Sequence, residues 1–341
     1  MKALVTGATG VVGANLVREL LDADWSVATL LRPGPPRRAL AGLPVERIAG
    51  DVLDPASLEV AMSGREVVFH AAAFFTYGGV DTARMESVAV DGTRNVVRAA
   101  AAAGVERVVL TSSSVVFGSS RGPTPRTEAS PFTPGDASAY AVSKLRQLRV
   151  ALDTARREGL PLVAACPALT MGSWDYRLAQ SHATLVRYLK DPWRTTFPGG
   201  GNVVAARDVA RGHRLLAEHG EPGTSYLLAS ENLSWQKLHT MVSRLCETYG
   251  PLTTSRHTAA YLTAVWSEAT ARLLGSDPAL TRDEVRMMGR WYWYDDARVR
   301  ALGYAPRPAE EAVREALIWL HRAGHLDEAL LTEAPAAGGV R

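Results

Sequence analysis

The chain has 341 residues, 47% of them apolar and 21% charged, with a net charge of +3. That balance excludes a disordered polyelectrolyte, and the mixing of signs excludes a basic tract of the kind that follows a phosphate backbone, so nucleic acid is not an expected partner. Cys166 and Cys246 lie in apolar runs with no CxxC or Cys/His cluster, which gives no support to a disulfide framework or a metal site, and no apolar run is long enough to span a membrane.

A cytoplasmic protein with one large domain and a smaller lobe is expected from this length. Short apolar, β-branched runs at 2–7, 26–31, 45–50, 66–71, 107–112 and 161–166 each read as a buried strand. Helical patterns at 11–22, 55–63, 82–103 and 140–158 separate them. Repeated strand-helix-strand units mean right-handed crossovers, hence an α/β, doubly wound parallel sheet. From Met171 to Gly201 Trp, Tyr, Pro and Gly become frequent, which marks the start of a substrate lobe. Residues 207–218 and 225–230 read as a helix and a strand returning to the sheet. The stretch 232–295 reads as mostly helical, and 295–324 as two short helices around a Gly-Tyr-x-Pro turn. The expected division is a nucleotide domain over 1–170 with 201–230 returning to it, a mainly helical lobe over 171–200 and 231–325, and a frayed tail over 326–341.

"VTGATGVVGANLVREL" sets Gly7, Gly10 and Gly13 between the first strand and the first helix. Gly7 permits the tight turn, Gly10 lets the backbone approach a pyrophosphate, and Gly13 lets the helix pack close to the strand. The helix N-terminus then presents free N–H groups to the anion. Thr9, Val11 and Val12 belong to the same loop and are expected to line it. At the end of the second strand, where an NAD enzyme usually presents a carboxylate, this chain has Arg32, with Arg37 and Arg38 as helpers. A guanidinium pairs with a 2′-phosphate, so NADP is expected over NAD. In "GDVLDP" Asp51 and Val52 face the adenine end, while Asp54 before Pro55 is the better helix N-cap. Ala71, Ala72 and Ala73 offer small side chains beside the cofactor.

Only Lys2, Lys144, Lys190 and Lys237 represent lysine among 38 basic residues. In "AYAVSK" Lys144 follows Tyr140 by one helical turn, so the two share a face. A nearby ammonium is expected to lower the phenol pKa from about 10 and make it a usable acid-base group. Arginine, bulkier and planar, serves that place less well. "LTSSSVVFG" supplies hydroxyls at the carboxyl end of the fifth strand, where such sheets bind ligands.

The ordered set TGxxGxxG, GDxxDP, TSSxxxxG, YxxxK and "CPALTMG" resembles the extended short-chain dehydrogenase/reductase superfamily, the NAD-dependent epimerase/dehydratase group, from Met1 to about Gly324. The resemblance implies a Rossmann-type fold, with Ser113 as the catalytic serine (Ser112 the weaker choice), Tyr140 as general acid-base, Lys144 on the nicotinamide ribose, and Pro167 opening the segment that meets the carboxamide. It also implies a homodimer through the helices at 82–103 and 140–158. Two departures stand out. Ala89 replaces the usual Asn before V-x-G-T, and Ser114 and Val115 stand where 4,6-dehydratases carry Asp-Glu, which argues against water elimination.

Within the superfamily the chain is similar to dihydroflavonol-reductase-like proteins. "AAFFTYGG" sets Phe74, Phe75 and Tyr77 over the expected substrate mouth, which suits an apolar or aromatic ketone. The expected function is therefore an NADPH-dependent ketone reductase. A nucleotide-sugar epimerase or ketoreductase is the alternative, kept open by Arg177, Arg187 and Arg194, and a non-catalytic NADP-sensing scaffold is the third reading.

Overall fold

In a computed structural model of the chain, residues 1–34, 38–73, 82–255, 257–274, 278 and 280–327 are described. The first half runs β1 (Lys2–Thr6), α1 (Val11–Asp22), β2 (Ser26–Leu31), β3 (Glu46–Ala49), α2 (Pro55–Met62), β4 (Val67–His70), α3 (Thr82–Ser87), a π-turn (Val88–Gly92), α4 (Thr93–Ala102), β5 (Arg107–Thr111) and α5 (Ala139–Glu158). Then follow β6 (Leu162–Pro167), β7 (Leu169–Met171), α6 (Gln180–Lys190), β8 (Gly200–Ala205), α7 (Ala206–His219), β9 (Ser225–Leu228) and β10 (Glu231–Ser234). The remainder is α8 (Trp235–Leu245), α9 (His257–Leu274), α10 (Arg282–Met287), β11 (Trp291–Tyr292), α11 (Ala297–Arg300) and α12 (Ala309–Arg322).

Seven parallel strands form the main sheet in the order β3-β2-β1-β4-β5-β6-β9. This is the doubly wound Rossmann-type arrangement, and its strand order reverses between β1 and β4. The central strands are apolar throughout because helices cover both faces: Leu4, Val68 and Leu110 pack into one core layer, and Val5, Phe69 and Val109 into the other. β3 departs from the expected buried strand. It has β2 as its only neighbour, Glu46, Arg47 and Ala49 are exposed, and Arg65 pairs with Glu46 at 2.7 Å. Charges on such an edge oppose pairing with another chain.

Local signals explain the helix ends. Asp54 caps α2, accepting the Ala56 N–H at 3.1 Å, with Pro55 in the first turn. Ser138 caps α5 by accepting from Ala141, and Gly159 ends it in the left-handed region at φ 67°.

A second sheet, absent from the sequence reading, joins β7, β8, β10 and β11 around β8. The region expected to be mainly helical is thus built on strands as well. Its core gathers Met171, Leu185, Val203, Leu238, Val313 and Leu317. Leu326 is buried in the same core, and residues 328–341 lie outside the described set. Among the described residues no helix is long and apolar enough to cross a membrane.

Candidate active site

The loop after β1 and the loop after β4 meet at the strand-order reversal. Gly7 has φ 71°, and a Cβ there would stand 2.5 Å from the Ala71 carbonyl. Gly13 is as constrained, since its Cβ would stand 2.3 Å from the Gly7 oxygen. Gly10 differs: a Cβ would meet only the Gly7 oxygen at 3.6 Å, leaving its outer face open. Gly10 is also the N-cap of α1 and brings no capping side chain, so the first-turn N–H groups, those of Val11 and Val12 among them, have no side-chain cap. An open backbone face on a positive helix end fits a dinucleotide diphosphate.

Arg32 is exposed directly after β2, and Arg38 is exposed at the start of a short 3-10 turn. Arg37 lies outside the described residues. Asp51 follows β3, but one of its carboxylate oxygens accepts the Leu53 N–H at 3.0 Å. Val52 is buried and its carbonyl accepts from Asn95 at 3.2 Å. Ala71, Ala72 and Ala73 follow β4, and the Ala72 N–H donates to Thr6 Oγ1 at 3.2 Å. Pro167 ends β6 beside Leu228 of β9.

Ser113 follows β5 and opens a 3-10 turn over Ser114–Phe117. Tyr140 lies in the first turn of α5, and its phenol is close enough to the Ser113 hydroxyl to feel it. Burial pushes the phenol's pKa up, and Ser113 acts in the opposite direction. The expectation that Lys144 lowers this pKa is corrected here: the ammonium is turned to the Thr111 carbonyl at 3.1 Å and Gln147 Oε1 at 2.8 Å. Lys144 itself is buried, which brings its pKa down to about 8, with Cys166 acting the other way.

Gln147 opens a chain of buried polar groups that the sequence reading missed. Lysine can only donate, so the Gln147 carbonyl faces Lys144 and its amide donates to Thr93 Oγ1 at 3.1 Å. His70 lies between Thr93 and Thr6, with Nε2 3.0 Å from the Thr93 hydroxyl and Nδ1 2.8 Å from Thr6 Oγ1. Burial, and then the Lys144 charge, lower the His70 pKa to about 3, so the ring is neutral. The chain therefore links Lys144 to the base of the glycine loop without a missing partner. Its one legible trace was the three-residue spacing of Lys144 and Gln147.

The π-turn directs buried Ala89 into a small cavity shared with Met85, Tyr140, Lys144 and Gln147. Phe74, Phe75 and Tyr77 lie outside the described residues. Of the three lobe arginines, Arg194 is buried and donates to the Tyr188 carbonyl at 3.0 Å, while Arg177 reaches Thr9 Oγ1 at 3.1 Å. Both cysteines are buried and neither is in a disulfide, and among the described residues no group of His, Cys, Asp or Glu is placed to hold a metal ion.

A family profile described as NAD dependent epimerase/dehydratase matches residues 3–229. The chain belongs to this family. A Synechocystis protein named as a candidate dihydroflavonol 4-reductase is 32% identical, covering 94% of this chain and 95% of that protein. Cinnamoyl-CoA reductase 1 of Oryza sativa subsp. japonica is 31% identical, covering 94% and 91%. The crystal structure of gox2253 superposes with a TM-score of 0.84 at 32% identity, covering 95% of this chain and 99% of that one. Family members of this kind are oxidoreductase-type enzymes with small-molecule substrates.

Proposed function

We propose that the chain is an NADPH-dependent reductase that delivers hydride to the ketone of a small apolar or aromatic substrate, with Ser113, Tyr140 and Lys144 at the reacting centre. The observation that carries this reading is the approach of Ser113, at the carboxyl end of β5, to the Tyr140 phenol, with Lys144 buried one turn along α5. Two relatives named as reductases over nearly their full length support it.

When bound, the dinucleotide supplies the hydride. Tyr140, kept protonated at neutral pH by burial, holds the proton that a developing alkoxide needs. Ser113 orients the substrate oxygen beside that phenol. Lys144, fixed by Thr111 and Gln147, keeps a donor for the nicotinamide ribose. Arg32 at the end of β2, in place of a carboxylate, supports NADP over NAD. Asp51 keeps one oxygen for the adenine edge.

Of the arginines that favoured a sugar-nucleotide substrate, Arg194 is spent on main-chain carbonyls and Arg177 reaches into the glycine loop, while Arg187 is exposed on α6. Incubation with NADPH and separate panels of aryl ketones, aliphatic ketones and nucleotide sugars tests the reading. Oxidation of NADPH with a ketone is expected. Isomerisation of a nucleotide sugar with no net redox change would overturn it.

A further inference from the structure

The segment between β7 and α6, residues 172–179, lies against α1 and the glycine loop before it and is tied to them at three points, one of them on the loop. Asn15 on α1 donates to the Ser173 carbonyl at 2.9 Å. The Arg18 guanidinium stands 3.5 Å from the Trp174 ring centre, and Arg177 Nη2 donates to Thr9 Oγ1 at 3.1 Å. Arg18 itself is anchored on the Ala14 and Ala39 carbonyls.

The strap is also held from behind. Buried Asp175 accepts the N–H groups of Arg177 at 3.2 Å and Ala179 at 2.5 Å, and lies 2.8 Å from Nδ1 of buried His182. The other ring nitrogen of His182 sits 2.9 Å from the Gly172 oxygen. Trp319 packs against Trp174 at 5.0 Å and edge-on against Tyr176 at 4.9 Å. Trp174 and Leu178 are held in the left-handed region, at φ 70° and 52°. Non-glycine residues adopt that conformation only where surrounding contacts impose it. A connection between two elements needs none of this. Together these contacts fix one cationic side chain, Arg177, one residue from the open face of Gly10.

We propose that Arg177 is a cofactor-binding residue: carried by the strap, its guanidinium clamps the diphosphate of a nicotinamide dinucleotide against the N-terminus of α1. The inference rests on the dinucleotide reading of the glycine loop given above. A planar guanidinium offers two parallel donors that match phosphate oxygens, and the helix end adds its own positive potential on the opposite side. The diphosphate is common to NADPH and NADH. The clamp is therefore blind to the 2′-phosphate that Arg32 reads.

Direct binding titrations of NADPH and NADH, followed by nicotinamide fluorescence without substrate, test this on the parent protein and on Arg177→Ala, Arg177→Gln, Arg32→Ala and Gly10→Val. Arg177→Ala and Arg177→Gln are expected to weaken both dinucleotides by roughly tenfold, the effect of one screened charge-assisted contact. Arg32→Ala is expected to weaken NADPH alone. Because Gln keeps a donor for Thr9 without the charge, equal losses in both variants mark the charge as the binding element. An unchanged Kd for both dinucleotides, or a loss confined to NADPH, overturns the clamp. If Gly10→Val loses binding while the Arg177 variants keep it, the clamp fails and the dinucleotide reading stands. Should the parent bind neither dinucleotide, both are overturned. Arg177 is exposed, so an unaltered melting temperature in the variants is expected and separates lost binding from lost folding.

Discussion

Lys144 Nζ lies 2.8 Å from Gln147 Oε1, and both side chains are buried. A carbonyl that accepts from an ammonium stabilises its charged form, so Gln147 works against the burial that brings Lys144 down to about 8. Gln147→Leu is expected to lower that pKa further and Gln147→Glu to raise it. On the proposed reading ketone reduction needs the charged lysine, so its rate is expected to fall as pH rises through about 8 in the parent. That limb should move to lower pH in the Leu variant and to higher pH in the Glu variant. A pH profile of kcat/KM at saturating cofactor checks it; a limb in the same place in all three proteins would remove Gln147 from the positioning of Lys144.

Arg32 stands alone at the end of β2 among the described cations of that turn, apart from Arg38. Arg32→Asp is expected to lower affinity for NADPH by at least about tenfold and to bring NADH up, since a carboxylate repels the 2′-phosphate and accepts from a 2′-hydroxyl. Parallel titrations with both cofactors give the ratio directly. An unchanged preference would place the 2′-end elsewhere.

Gly13 faces the Gly7 oxygen so closely that a Cβ would stand 2.3 Å away. Both partners are backbone, so neither can rotate aside. Gly13→Ala should cost about 1–3 kcal/mol or more and lower the melting temperature by several degrees. Gly10→Ala, whose Cβ would meet only one atom at 3.6 Å, should leave the melting temperature near the parent value and act on cofactor affinity instead.

Three of the buried histidines, His70, His213 and His239, make the fold sensitive to acid. Burial lowers His70 to about 3 and, with opposing help from the Val209 carbonyl in one case, His213 and His239 to about 4, each from 6.5. Below 6.5 the unfolded chain takes up protons that the folded chain refuses. The stability they contribute is therefore complete above pH 6.5 and is lost as pH falls toward 4, at about 1.4 kcal/mol per pH unit for each ring. Denaturant midpoints measured from pH 7 to 4.5 should fall steadily, and a His70→Gln variant should show a shallower slope.

The parallel sheet was readable because its strands are continuous apolar runs separated by helical periods, and the cap signal at Asp54 before Pro55 marked the start of α2. β8 was not readable. Its first residues are Gly200 and Gly201, which carry no strand signal, yet a Cβ on Gly200 would stand 2.4 Å from the Leu233 oxygen and one on Gly201 3.0 Å from Trp235. The requirement comes from neighbours distant in sequence. The same holds for the site. Tyr140 and Lys144 were paired from local spacing and Ser113 was singled out by the family resemblance, whereas the link from Lys144 through Gln147, Thr93 and His70 to Thr6 depends on four elements meeting. The direction of the Tyr140 shift was misjudged for that reason: burial of the phenol, which depends on tertiary packing, raises its pKa, and the Thr111 carbonyl and Gln147 decide where the Lys144 charge points.

Tyr140→Phe, compared with the parent for NADPH oxidation in the presence of a ketone and for NADPH affinity, is the most direct measurement. Loss of the phenol proton should lower kcat by about a hundredfold or more while the Kd for NADPH stays within about twofold. Turnover at the parent rate would contradict proton donation by Tyr140.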